Sequence, residues 1–375
     1  MPLLADLFCG TGAFSAGFEQ TGEFQAVLGI DIRPASVATF GSNHRNAVTI
    51  CDDIVNVRVE DAAAHVGIEQ GGLDVIVAGP PCQGFSSIRP YRSINEKDAR
   101  NNLYEQLVVF VAFFRPRFVV FENVVGLLHH KNRQTLEAIK RSIEDLGYTT
   151  NVAVLNAANY GVPQTRERVI LLARRGTIRP VFPEPTHYYD GRSMAGGCAI
   201  GTPPLFAAAL PPAVTVAEAI YDLPPVVAGE GTNVYRDDHA PRDYVLARRK
   251  KACHVTLHAA TRHTPRMLEI IKQAGANRWA LPAGLTTSGF SSCYSRLHAD
   301  HPSTTITVNF VHPSSNRCIH PIQDRALTPR EGARLQSFDD DFEFCGSRTE
   351  VVKQIGEAVP PLLGRAIAQA LLDQW

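Results

Sequence analysis

Five apolar runs in the first third of the chain each finish on a polar or glycine-rich group, and this recurrence constrains the fold more than any other feature. The run from Leu3 enters the turn Gly10-Thr11-Gly12, Ala26–Ile30 ends on Asp31, and Val48–Cys51 ends on Asp52-Asp53-Ile54. Leu73–Ala78 ends on Gly79-Pro80-Pro81-Cys82, and Phe118–Phe121 enters Glu122-Asn123-Val124. Short apolar runs bounded by turn formers read as buried strands. Helices are predicted over Leu103–Phe114, between the fourth and fifth runs, and over Arg133–Leu146, after the fifth, where Leu136, Ile139, Ile143 and Leu146 share a face before the stop at Gly147. Strands alternating with helices build a parallel α/β sheet, whose ligands bind at the carboxyl ends of the strands. The five run ends therefore converge on one predicted site.

Within that site the segment Gly79–Ser86 stands out. Two prolines in series fix φ and hold the residue before each in extended geometry, so Cys82 is presented on a stiffened turn, as a nucleophile requires. Gly10 and Gly12 allow close backbone approach to a ligand beside the free N–H groups of a helix start, with that helix expected to end near Gly22. Asp31 follows at a spacing that suits a ribose hydroxyl pair. The turn lacks a third glycine, and the site has no Walker-type lysine, so the expected ligand is nucleoside-like with little phosphate.

The chain has 375 residues, 45% of them hydrophobic, enough for a large core and two domains. Its formal net charge is +0, so binding of a polyanion must come from local clusters. The eight cysteines never form CxxC, which argues for a reducing compartment and against a zinc site or a disulfide framework. No apolar run approaches the length of a membrane span. A cytoplasmic protein without metal is expected.

These residues resemble the DNA (cytosine-5) methyltransferases, which use S-adenosylmethionine. The resemblance rests on ordered blocks: Asp6–Gly17, Pro80-Pro81-Cys82-Gln83, Glu122-Asn123-Val124, Gln164–Val169, Arg325–Glu331 with Leu335–Phe338, and Gln354–Pro361. It covers nearly the whole chain outside roughly residues 185–290. It implies a Rossmann-like class I methyltransferase domain with a mostly parallel sheet (residues 1–182 and 348–375) and a smaller, irregular DNA target-recognition domain (183–347). The implied reaction adds the Cys82 thiolate to carbon 6 of a flipped-out cytosine in duplex DNA and methylates carbon 5. Glu122 is expected to act at ring N3 from a dry pocket, and Arg166 and Arg168 to lower the thiolate pKa or to bind O2 and backbone phosphate. No residue is assigned to removal of the carbon 5 proton. The implied cofactor contacts are Phe8, Gly10, Gly12, Asp31, Ile32, Asp53, Ile54, Pro80 (or Pro81), Leu103 and Val359. Glu357 stands where the family usually has asparagine, which leaves its role open. Competing readings are a tRNA-directed cytosine-5 methyltransferase, a non-catalytic DNA-binding relic and a Rossmann oxidoreductase.

The middle of the chain is rich in Pro, Gly and Ala, with a short helix predicted near Val216–Tyr221. Phosphate contacts are expected from the basic run containing Arg248, Arg249, Lys250 and Lys251. The resemblance implies that the polar segment after Cys82, with the DNA-binding residues Ser86 and Arg89, closes over the flipped base. Base-edge contacts are expected from Tyr294 and Arg296. The histidines lack partners at metal-ligand spacing. A tail helix over Val359–Leu372 is expected to return to the first domain. The resemblance also implies a prokaryotic, nucleoid-associated protein, for which a cognate restriction endonuclease is a candidate partner.

Overall fold

The computed structural model describes residues 1–81, 103–128, 133–189, 191, 199–200, 209–236, 242–282, 284–286 and 289–375. Its centre is an eight-stranded sheet. Strands β1 (Leu3–Leu7), β2 (Gln25–Asp31), β3 (Val48–Cys51), β4 (Val75–Ala78) and β5 (Phe118–Val124) lie side by side in the order β3-β2-β1-β4-β5, all parallel. The β5 strand runs further than its apolar stretch and takes Glu122 and Asn123 into the sheet. Two further strands extend it: β6 (Tyr148–Asn156), not anticipated from the sequence, and β8 (Glu167–Arg175), which is antiparallel to both β5 and β6. Between them lies the short β7 (Gln164–Thr165), and β9 (Ala199–Ile200) borders β6.

Both faces of this sheet are covered, which is why its strands read as continuous apolar runs. In β4, Ile76 and Ala78 face one core with Ala62 of α3 (Val59–Val66), Phe110 of α4 (Tyr104–Phe114) and Ile139 of α5 (Gln134–Glu144). Val75 and Val77 face the opposite core, with Phe14 and Phe18 of α1 (Ala13–Glu19) and Phe40 of α2 (Pro34–Asn43). The same core takes Leu363 and Ile367 from α11 (Pro361–Leu372), the last helix of the chain. Helices α1 and α11 cross through glycines. A Cβ on Gly17 would stand 2.2 Å from the Pro361 carbonyl oxygen, and one on Gly364 would stand 2.8 Å from that of Phe14.

A third core joins Ala13 to α6 (Val216–Ile220), Leu297, Phe310, α9 (Pro329–Leu335) and α10 (Arg348–Glu357). Helix α6 lies where it was predicted, started by a capping box between Thr215 and Glu218. Around α9 the interior is ionic. Arg325 pairs with Glu331 at 2.7 Å, and Arg334 pairs with Asp340 at 2.5 Å and Asp222 at 3.1 Å, every partner fully buried. Burial disfavours the Glu331 charge, but the Arg325 guanidinium overcomes it and holds the carboxyl at about 2. The remaining elements are α7 (Asp243–Arg249), α8 (Pro265–Gln273) and β10 (Ser303–Thr304), which pairs with β7. Among the described residues no helix is long and apolar enough to cross a membrane.

Candidate active site

The carboxyl end of β1 turns through three left-handed residues, Phe8 (φ 62), Gly10 (φ 51) and Gly12 (φ 78). The turn is held from outside. The Gly10 N–H donates to Asp31 Oδ2 at 3.0 Å, and buried His44 places Nε2 3.0 Å from the Gly12 carbonyl and Nδ1 2.7 Å from Glu19. A Cβ on Gly12 would lie 2.4 Å from His44 Nε2, so only glycine fits at that bend. Beneath it, Asp6 is buried and accepts from Ser15 Oγ at 2.5 Å. Burial raises its carboxyl to about 7 against the opposing hydroxyl bond.

Because β1, β2 and β3 are adjacent and parallel, their next residues share one edge of the sheet. Asp31 ends β2 with its carboxylate held by the N–H groups of Gly10 and Arg33. Ile32 follows with 60% of its surface exposed, unusual for a large apolar side chain beside a polar turn. Asp53 caps a turn of helix through the Val55 N–H, which leaves Ile54 buried. Phe8, Leu103 and Val359 are partly buried against the two sheet cores, and Pro80 is buried.

Cys82, Ser86 and Arg89 lie outside the described residues. The chain leading to Cys82 is nonetheless placed by β5. Asn123 Nδ2 donates to the Pro80 carbonyl at 3.4 Å, and a Cβ on Gly79 would stand 3.3 Å from Glu122 Oε2. In the β5–β8 ladder Val124 faces Arg168, so Glu122 and Arg168 are diagonal neighbours on one face. Their side chains meet, with Arg168 Nε 2.8 Å from Glu122 Oε1 and both largely buried.

Arg166 lies between β7 and β8, outside that ladder, and is turned elsewhere. Its guanidinium donates to the carbonyls of Ile306 (3.1 Å), Gly356 (3.2 Å) and Glu357 (3.2 Å). Burial and then the like charge of Arg168 press its pKa below the usual arginine range. These bonds make Arg166 a buried clamp between β7–β8 and the end of α10. The expected contact with base or phosphate is therefore reassigned to positioning.

Several expected DNA contacts face inward. Arg248 is buried, with Nη1 2.7 Å from Asp339, and Arg249 pairs with Asp222 at 3.0 Å under the ring of Tyr235. Helix α7 presents residues to both core and solvent, and its last two residues, Arg248 and Arg249, turn to buried partners. Lys250 and Lys251 remain accessible, Lys250 with its Nζ 3.7 Å from Asp339. Arg296 spends its guanidinium on the carbonyls of Ala274, His320, Gln323 and Ile271 and on Asp324, so it braces the fold rather than reading bases. Tyr294 is half-buried in a left-handed conformation, φ 54. Among the described residues no group of three metal-ligating side chains occurs.

A family model for C-5 cytosine-specific DNA methylases matches residues 3–373. The chain belongs to that family. This methylase is 34% identical to the Type II methyltransferase M.AgeI of Thalassovita gelatinovora, over 98% of both chains. It is 35% identical to M.XorII of Xanthomonas oryzae pv. oryzae, covering 99% of this chain and 84% of that one. It shares its fold with a prophage-encoded E. coli protein described as a DNA modification methyltransferase, at TM-score 0.72 and 21% identity over 100% and 99% of the two chains. The methylase is a DNA cytosine-5 methyltransferase of Rossmann-like fold, and neither the RNA-directed nor the non-catalytic alternative is favoured. Family and fold imply S-adenosylmethionine as its methyl donor.

Two supports of the site went unnoticed in the sequence. Asn123 holds the Pro80 carbonyl, and buried Gln164 bonds Gln336 at 2.9 Å, the Leu335 carbonyl at 3.1 Å and the Ile306 N–H at 2.8 Å. For Asn123 the available signal is a neutral polar residue inside an otherwise apolar strand, which must find partners once buried.

Proposed function

We propose that this methylase modifies carbon 5 of a cytosine flipped out of duplex DNA, with Cys82 as the nucleophile. The reading is carried by one observation: Glu122 and Arg168 are paired beside Gly79 and Pro80, the residues that lead directly to Cys82. In this mechanism the Cys82 sulfur bonds to carbon 6, and the displaced ring electrons make carbon 5 nucleophilic. Glu122 holds or lends a proton at ring N3, and Arg168 orients that carboxyl and faces the base's O2. After methylation, loss of the carbon 5 proton expels the sulfur and restores the ring. A base stacked inside a duplex cannot offer carbon 6 to a protein thiol, so the target leaves the stack.

The site suits the family's cofactor. The left-handed turn at Phe8, Gly10 and Gly12 lets backbone approach a ligand, and Asp31 offers acceptor sites for ribose hydroxyls. Exposed Ile32 and buried Ile54 supply apolar surface for an adenine beside Asp53, and Pro80, Leu103 and Val359 complete the proposed pocket. S-adenosylmethionine, when bound, supplies an electrophilic methyl group.

Residues 1–182 and 348–375 form the proposed catalytic domain and residues 183–347 the proposed target-recognition domain. DNA contacts are assigned to Ser86, Arg89, Lys250, Lys251 and Tyr294. The Type II names of the relatives favour membership of a restriction-modification system. The test is transfer of labelled methyl groups to duplex DNA by wild type and Cys82→Ala, with trapping on fluorocytosine duplexes. Only wild type should transfer label and form the covalent adduct. Transfer persisting in Cys82→Ala would overturn the mechanism.

A further inference from the structure

The side chain of Arg33 joins two parts of the molecule that the sheet alone does not connect. Its backbone N–H donates to Asp31 Oδ1 at 2.9 Å and its Nε lies 3.5 Å from the same oxygen. Its Nη1 donates to Glu357 Oε2, 324 residues away at the end of α10. Asp31 Oδ2 is taken by the Gly10 N–H, so the carboxylate is held at both oxygens, with lone-pair sites left over for a ligand.

The far anchor is rigid. Arg166 binds the carbonyls of Gly356 and Glu357. A Cβ on Gly356 would stand 2.4 Å from the Thr307 carbonyl carbon, so α10 ends hard against that segment. Val359, two residues beyond Glu357, belongs to the proposed cofactor pocket. Arg33 thus links the ribose-side strand to the chain on the pocket's other side, with about two-fifths of each side chain exposed at 43% and 44%.

We propose that Arg33 and Glu357 form a strap across the cofactor pocket that orients Asp31 and sets how tightly S-adenosylmethionine is held. Arg33 is a positioning residue acting through Asp31, and Glu357 is its anchor. The proposal rests on the cofactor assignment of Asp31 above. A partly exposed pair is worth little to folding, so its effect should appear in ligand affinity rather than in stability.

The test measures binding of S-adenosylhomocysteine by calorimetry, with steady-state methylation beside it. Arg33→Ala and Glu357→Gln should each weaken binding by about fivefold. The double variant should be no weaker than Arg33→Ala alone, because both changes remove one interaction. The methylation defect should fall on KM for the cofactor rather than on kcat, and Arg33→Lys should recover part of the affinity. Wild-type affinity should fall with added salt more steeply than that of Arg33→Ala. Wild-type binding by both single variants, or fully additive losses, would overturn the strap. Asp31→Ala separates the two readings. If it too binds normally, the pocket assignment fails, whereas weakening by Asp31→Ala alone leaves the pocket standing and removes only the strap.

Discussion

Arg168 and Glu122 approach to 2.8 Å across the antiparallel β5–β8 ladder, on the face that also carries Gly79. A parallel neighbour would have brought β8 in from the other end and set Arg168 at the opposite edge of the sheet. The pairing therefore depends on the reversal of β8 as much as on the two side chains.

That geometry makes a fork-shaped cation necessary at position 168. Arg168→Lys keeps the charge but not the planar donor array, and Arg168→Ala removes both. Single-turnover methylation should fall by about 10-fold or more in Arg168→Lys and by about 10²–10³ in Arg168→Ala. Circular dichroism should show both folded. Near-wild-type turnover in Arg168→Ala would remove the residue from the catalytic set.

At Gly12 the backbone and the space agree. A side chain there meets His44 at 2.4 Å in a left-handed conformation, whereas Gly10 has nothing within 4 Å. Gly12→Ala should cost about 2 kcal/mol or more through strain and overpacking, and Gly10→Ala about 1 kcal/mol through backbone conformation alone. Urea unfolding of the two variants gives the comparison; equal losses would contradict it.

Buried Asp6 gives a pH signature. Its folded carboxyl sits at about 7, raised from 3.8, so the folded chain keeps a proton that the unfolded chain releases. The contribution is full below about pH 4 and is lost as pH rises toward 7. Asp6→Asn cannot ionise, so its stability relative to wild type should improve by about 2–3 kcal/mol between pH 5 and pH 8. An offset that stays flat over that interval would show that Asp6 is ionised throughout.

The ionic interior around α9 should be intolerant of truncation. Arg334→Ala would remove the guanidinium that bridges buried Asp340 and Asp222, leaving them Arg330 and Arg249 as ion-pair partners, and should cost about 3–5 kcal/mol. Thermal unfolding and soluble yield report the loss. A mild effect would mean that water enters and solvates the two carboxylates.

The central strands were legible because burial on both faces leaves a continuous apolar run, and a run has a visible end. Strand β6 is not visible as a run because Tyr148–Asn156 mixes polar and apolar residues, and its identity comes from pairing with distant partners. The same blindness affected charge. Arg248, Arg296 and Arg166 look like surface cations in sequence, yet each finds buried carboxylate or carbonyl partners supplied by remote segments.

Local chemistry written along the chain determined the parallel α/β core, the glycine turn, the acidic ends of β2 and β3, and the proline-stiffened approach to Cys82. Backbone conformation and apolar burial act over a few residues, so a single strand or turn announces them. Tertiary structure alone decided which arginine meets Glu122, which ones are sealed inside, and that Arg33 reaches Glu357. A charge is assigned its partner only when strands and helices far apart in sequence are brought within a few ångströms of each other.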